Sequence, residues 1–113
     1  MCNQSILNQI SAKVLQAAKD SLGDKLDKVI LFGSYARGDF SVESDIDIMV
    51  LADIPRENRG KERAKINGLL GYIDLDLDVV LSLSVVDVST FNKFSRVEPL
   101  YRNVLKDGVV LSA

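Results

Sequence analysis

Apolar residues at Leu7, Ile10, Val14 and Ala17 recur every three or four positions, which predicts an amphipathic helix from about Ser5 to Leu22 with Gly23 as its stop. The pattern then tightens into a continuous apolar run, "DKVILF" (Asp27–Phe32), a short buried strand ended by Gly33-Ser34. "YARG" reads as one helical turn and "DFSVES" as a polar loop. In "DIDIMVLA" (Asp45–Ala52), Asp45, Asp47 and Met49 alternate with Ile46, Ile48 and Val50, as in a strand with two unlike faces. Pro55 closes that strand. Ile66, Leu69, Leu70 and Ile73 then stand at i, i+3, i+4 and i+7, predicting a second amphipathic helix with a basic outer face. "DLDLDVVLSL" (Asp74–Leu83) alternates again, so a third strand is expected there, with Asp74, Asp76 and Asp78 on one face. From Val86 onward the chain reads as helical, with Pro99 near the start of the last turns and Gly108 after them; the closing "VVL" is a candidate edge strand. The order is α-β-(α)-β-α-β-α, one α+β domain over residues 1–113 without linker or repeat.

Composition narrows the chemistry. With 47% hydrophobic and 27% charged residues in 113, the chain can build one real core. The net charge of −2 argues against a broad electrostatic grip on nucleic acid. Cys2 is the single cysteine, which rules out an internal disulfide and suits the cytoplasm. No apolar run approaches the length of a membrane span. Histidine is absent altogether, which removes His-based acid/base catalysis, Ser-His-Asp hydrolysis and the usual zinc sites. Chemistry must rest on carboxylates, Ser, Arg, Lys and Tyr, with or without a hard metal ion.

Asp45 and Asp47 supply the first two carboxylates. Same-face neighbours on a strand are roughly 6–7 Å apart at Cα, close enough for both to reach one ion or to bridge two ions about 3.5–4 Å apart. Oxygen-only ligation favours Mg2+ or Mn2+, and Mg2+ held by a few carboxylates completes its shell with substrate phosphates. A glycine between a strand and a helical turn lets backbone approach an anion closely, so Gly33 and Ser34 fit a phosphate, with Arg37 as a nearby cation. Each feature alone is weak: a Gly-Ser turn is usually only a turn, and Asp-x-Asp is usually a solvated face.

Their order is informative. Gly33-Ser34-x-Ala36-Arg37-Gly38, a polar loop, then Ser44-Asp45-Ile46-Asp47-Ile48 closely resembles the signature of the DNA polymerase β-like nucleotidyltransferases, and above all the minimal nucleotidyltransferase (MNT) domains. The resemblance extends over nearly the whole chain. It implies a nucleotidyltransferase fold, a small mixed three-stranded sheet in the order 1-2-3 with helices packed on it. It further implies that Gly33 and Ser34 hold the triphosphate of ATP with Arg37 beside it, and that Asp45 and Asp47 bind two Mg2+ ions. Asp78 is the implied third carboxylate, a metal ligand and proton acceptor, because Leu77-Asp78-Val79-Val80 matches the family's third-strand pattern and Leu75-Asp76-Leu77-Asp78 does not.

No residues are left over for a second-substrate domain, so the acceptor is expected from another polypeptide. MNT proteins of this size pair with a helical HEPN protein, as the antitoxin half of a toxin–antitoxin pair that moves AMP from ATP onto a toxin tyrosine; that is the function the resemblance implies. A binding-only antitoxin with a vestigial site, or a small-molecule nucleotidyltransferase completed by a partner subunit, are the other readings. In the tail, Phe91, Phe94, Leu100, Tyr101 and Leu105 exceed what one face of a small sheet needs, which would suit such a partner.

Overall fold

The computed structural model describes residues 4–38 and 45–111; the polar loop expected at 39–44 lies outside them. Helix α1 (Gln4–Leu22) leads into β1 (Leu26–Phe32), the one-turn helix α2 (Ser34–Arg37) and β2 (Ile46–Ala52). Then come α3 (Arg59–Leu70), the single turn α4 (Ile73–Asp76), β3 (Leu81–Asp87), α5 (Val88–Phe94), α6 (Pro99–Asp107) and β4 (Val109–Leu111).

The sheet has four strands in the order β3-β2-β1-β4, not three. The expected neighbours 1, 2 and 3 are retained, and the closing "VVL" adds a fourth strand on the far side of β1. β1 pairs antiparallel with β2 and β4, whereas β2 and β3 run parallel, as a helical crossover requires. Alternation along β2 divides the core in two. Ile46, Ile48 and Val50 join Leu7, Ile10 and Val14 of α1 and Ile66 of α3 on one face. Met49 and Leu51 join Ile30, Phe32, Phe91 and Val104 on the other, beneath α5 and α6.

Three sequence expectations fail. Of the segment Asp74–Leu83 only Leu81–Leu83 joins the third strand: the first half spends its backbone donors locally. Asp76 N–H donates to Tyr72 C=O (2.9 Å), Leu77 N–H to Ile73 C=O (3.0 Å) and Val79 N–H to Asp74 C=O (3.0 Å). Asp78 then takes φ of +52°, which breaks any extended run. The packing shows the true period, since Ile73 and Leu77 face the core four residues apart while Leu75 between them is 79% exposed. The strand begins at Leu81 and runs to Asp87, so that Val86 and Asp87, expected to be helical, belong to it. In α3 the buried positions are Glu62 and Ile66, with Leu70 packed at the margin, so Leu69 falls outside the stripe and is exposed.

The end of the sheet remote from Asp47 is tied by a buried carboxylate. Asp87 caps α5, accepting from Thr90 N–H at 2.9 Å, and accepts from Arg59 Nε at 2.6 Å, so α3, β3 and α5 meet in one ion pair. Burial alone would raise the Asp87 pKa, but the Thr90 hydrogen bonds and the Arg59 guanidinium outweigh it and bring it down to about 2. Because the folded value lies below the unfolded one, the pair's stabilisation is complete above about pH 4 and fades as pH falls towards 2. Arg59 keeps part of its side chain in solvent, which screens the pair, so about 1–2 kcal/mol is at stake. Asp87→Asn should cost that much at pH 7 and flatten the stability profile between pH 4 and 2; denaturant melts showing an unchanged profile would refute the assignment. Among the described residues no helix is long and apolar enough to cross a membrane.

Candidate active site

Four of the residues singled out by sequence meet at one corner of the sheet, where β1 ends and β2 begins. The antiparallel register sets Phe32 opposite Asp47, so Gly33 leaves the sheet directly beside that carboxylate. A Cβ built on Gly33 would collide with Asp47 Oδ2. Gly33 also has φ +75° and ψ −157°, a conformation open essentially only to glycine. Both facts demand the absence of a side chain at position 33. The N–H groups of Ala36 and Arg37 then donate to Gly33 C=O (both 3.1 Å), closing α2, and Gly38 ends it in the left-handed region. Ser34 thus sits at the start of a helical turn, half-buried, and Arg37 at its exposed end.

Electrostatics join the same group. Asp47 is half-buried and Asp45 exposed. Burial raises the Asp47 pKa, the Asp45 carboxylate raises it further, and Arg37 pulls it back. Two carboxylates are therefore crowded on one face with one guanidinium in range, an arrangement with a surplus of negative charge that a cation would relieve. All donors are oxygens, so the set fits a hard divalent ion of the Mg2+ type, for which one or two carboxylates plus substrate phosphates suffice. Among the described residues no three His, Cys, Asp or Glu side chains gather into a ready-made cage.

Asp78 occupies a different kind of position from the one expected. It lies three residues ahead of β3, off the strand, although the segment that follows it does border the site: Val80 C=O accepts from Ile46 N–H at 2.8 Å. Asp74 and Asp76 lie on α4. On β3 itself the residue opposite Asp47 is Ser82. The sequence signal for it is the alternation Leu81-Ser82-Leu83-Ser84, in which the leucines belong to the face covered by α1 and α3. A groove of about 360 Å3 lined by Arg63, Asn67, Tyr72, Leu81 and Leu83 belongs to that opposite face and is separate from the carboxylate corner.

Known proteins share this fold. A structure described as a minimal nucleotidyltransferase superposes with a TM-score of 0.63 over 96% of this chain and 95% of that one; at 21% identity it speaks for the fold alone. A toxin–antitoxin crystal structure with AMP-PNP aligns at 28% identity and a TM-score of 0.55, covering 91% of this chain and 73% of that one. Among curated relatives, one from Methanocaldococcus jannaschii named as a protein adenylyltransferase is 36% identical over 97 residues, 86% of this chain and 89% of its own length. Another from the same organism, with the same kind of name, is 47% identical over 62 residues, 54% of this chain and 60% of its own length. The family model described as "Nucleotidyltransferase domain" matches residues 11–111, and the chain belongs to that family of enzymes.

Gly33→Ala should displace the Asp47 carboxylate and destabilise the β1–α2 turn, costing about 1–3 kcal/mol. A variant that melts as the wild type does would show that the close approach carries no constraint. Asp47→Asn should do the reverse to the ligand-free protein, raising its melting temperature at pH 7, because a crowded charge disappears. A lower melting temperature would mean that the carboxylate is held by structural hydrogen bonds.

Proposed function

We propose that the chain transfers AMP from ATP to a hydroxyl of a partner protein, as the antitoxin of a toxin–antitoxin pair, with a tyrosine of a HEPN-type toxin as acceptor. The observation that carries this reading is the convergence of Gly33, Arg37, Asp45 and Asp47 at one corner. The relative solved with AMP-PNP is itself a toxin–antitoxin complex, and relatives of this chain carry the name protein adenylyltransferase, which supports both the nucleotide and the protein acceptor. A binding-only module would have no use for Asp45 and Asp47 crowded together, since such a pair costs stability until a cation relieves it.

In this reading Gly33 and Ser34 receive the triphosphate, the glycine by leaving its backbone bare and the serine by donating its hydroxyl. Arg37 offsets phosphate charge from the far end of the same turn. Asp45 and Asp47 hold Mg2+, which supplies charge neutralisation at the phosphates. The acceptor oxygen bonds to the α-phosphorus, the bond to the bridging oxygen breaks, and pyrophosphate leaves with its electron pair. Asp78, on the segment that enters β3 beside the corner, takes the acceptor's proton.

Incubation with α-labelled ATP, Mg2+ and a HEPN-type protein encoded beside this chain should place label on the partner. Asp45→Asn or Asp47→Asn should lower that transfer about a hundredfold or more, the worth of several kcal/mol of transition-state stabilisation. Activity within a few-fold of wild type in either variant would end the proposal. Ser34→Ala should be milder, because backbone N–H groups remain to hold phosphate.

A further inference from the structure

The β2–β3 register carries an inference about which oxygen stands beside Asp47 on the third strand. Pairing runs Ile46–Leu81, Asp47–Ser82, Ile48–Leu83 and Met49–Ser84 without interruption, and paired residues of a parallel ladder share a face. Across the sheet this gives one row, Phe32–Asp47–Ser82, on the face of the two aspartates. Adjacent strands lie roughly 4.8 Å apart, so the Ser82 side chain is the nearest polar neighbour of Asp47 within that row. The row is polar on its β3 side only, because Phe32 is buried and Ser82 is exposed. Ser84, on the same face one row deeper, neighbours the fully buried Met49. Asp78 is four residues short of the position opposite Asp47 and off the strand, so it cannot occupy this place in the row.

We infer that Ser82 is a positioning residue of the transfer site, its hydroxyl completing the oxygen set that Asp45 and Asp47 present to a divalent cation and the triphosphate. The inference rests on the nucleotidyltransferase reading above. A serine hydroxyl is a competent neutral partner for such an ion, as in phosphate-binding loops that set Ser or Thr on Mg2+. Being neutral, it adds a donor without adding a third charge to a pair that already repels. Ser82 therefore supports cation binding while sparing the ligand-free protein the cost of a carboxylate in the same row.

The test measures Mn2+ affinity by electron paramagnetic resonance in the presence of AMP-PNP, on the full chain. Ser82→Ala should weaken Mn2+ binding about three- to tenfold, the worth of one lost polar contact. Ser82→Asp should tighten it, while lowering the melting temperature of the metal-free protein at pH 7 by crowding Asp47. Ser84→Ala should bind as wild type does. Equal affinities for wild type and Ser82→Ala overturn the inference, whatever Ser82→Asp does, and so does a loss in Ser84→Ala equal to that in Ser82→Ala. Asp47→Asn separates the two levels of the argument. If it too binds like wild type, or if wild type binds no Mn2+, the reading of the site falls and the role of Ser82 falls with it. If Asp47→Asn loses binding and Ser82→Ala does not, only the role of Ser82 is wrong.

Discussion

The site depends on one close approach, that of the Asp47 carboxylate to the bare Cα of Gly33. That contact exists because β1 and β2 pair with Phe32 opposite Asp47, so the last residue of one strand and the first turn of the next element share a corner. Pairing in turn is held by burial on both sides of β2, where Ile46, Ile48, Met49 and Val50 are fully enclosed. Central strands are held by the core on both faces, so side chains mounted at the open end of one are positioned by the core as well as by their own contacts. The exposed carboxylate Asp45 and the half-buried Asp47 thus inherit their geometry in part from the buried apolar residues of β2.

Much of this was legible in the sequence, and the limits are instructive. The first helix, the first two strands and the turn at Ser34–Arg37 follow directly from periodicity, because each has a single reading: one apolar stripe, one buried run, one alternation. Asp74–Leu83 had two. "IDLDLDVV" alternates, but Ile73 and Leu77 also stand four apart, and local hydrogen bonds to Tyr72, Ile73 and Asp74 favour the helical turn. Alternation over a short stretch cannot discriminate a strand from a turn whose exposed face happens to carry Leu75. The corner of Gly33, Arg37, Asp45 and Asp47 was visible because these residues come from consecutive elements. The partner of Asp47 on β3 was not, because register between parallel strands separated by a helical crossover leaves no local trace.

The tail tells a mixed story about partners. Phe91 is buried and packs against Tyr101, the ring centroids 5.1 Å apart and the planes tilted by 47°, so these two belong to the core under α5 and α6. Phe94, Leu100 and Leu105 remain exposed, as does Val97. The same two helices cover the face of the sheet on which Asp47 lies. An apolar surface of this kind on the site's own side of the molecule is compatible with the protein acceptor proposed above.

The outer rim of β3 has its own consequence. Arg63 Nε donates to Leu83 C=O at 3.0 Å, placing a guanidinium across a strand that ends the sheet. An open strand is a template for another chain's backbone, and a charged side chain lying over it makes such addition costly. On the opposite rim, among the described residues, β4 offers three. Both margins of the described sheet thus carry a feature that makes edge-to-edge pairing of two copies costly.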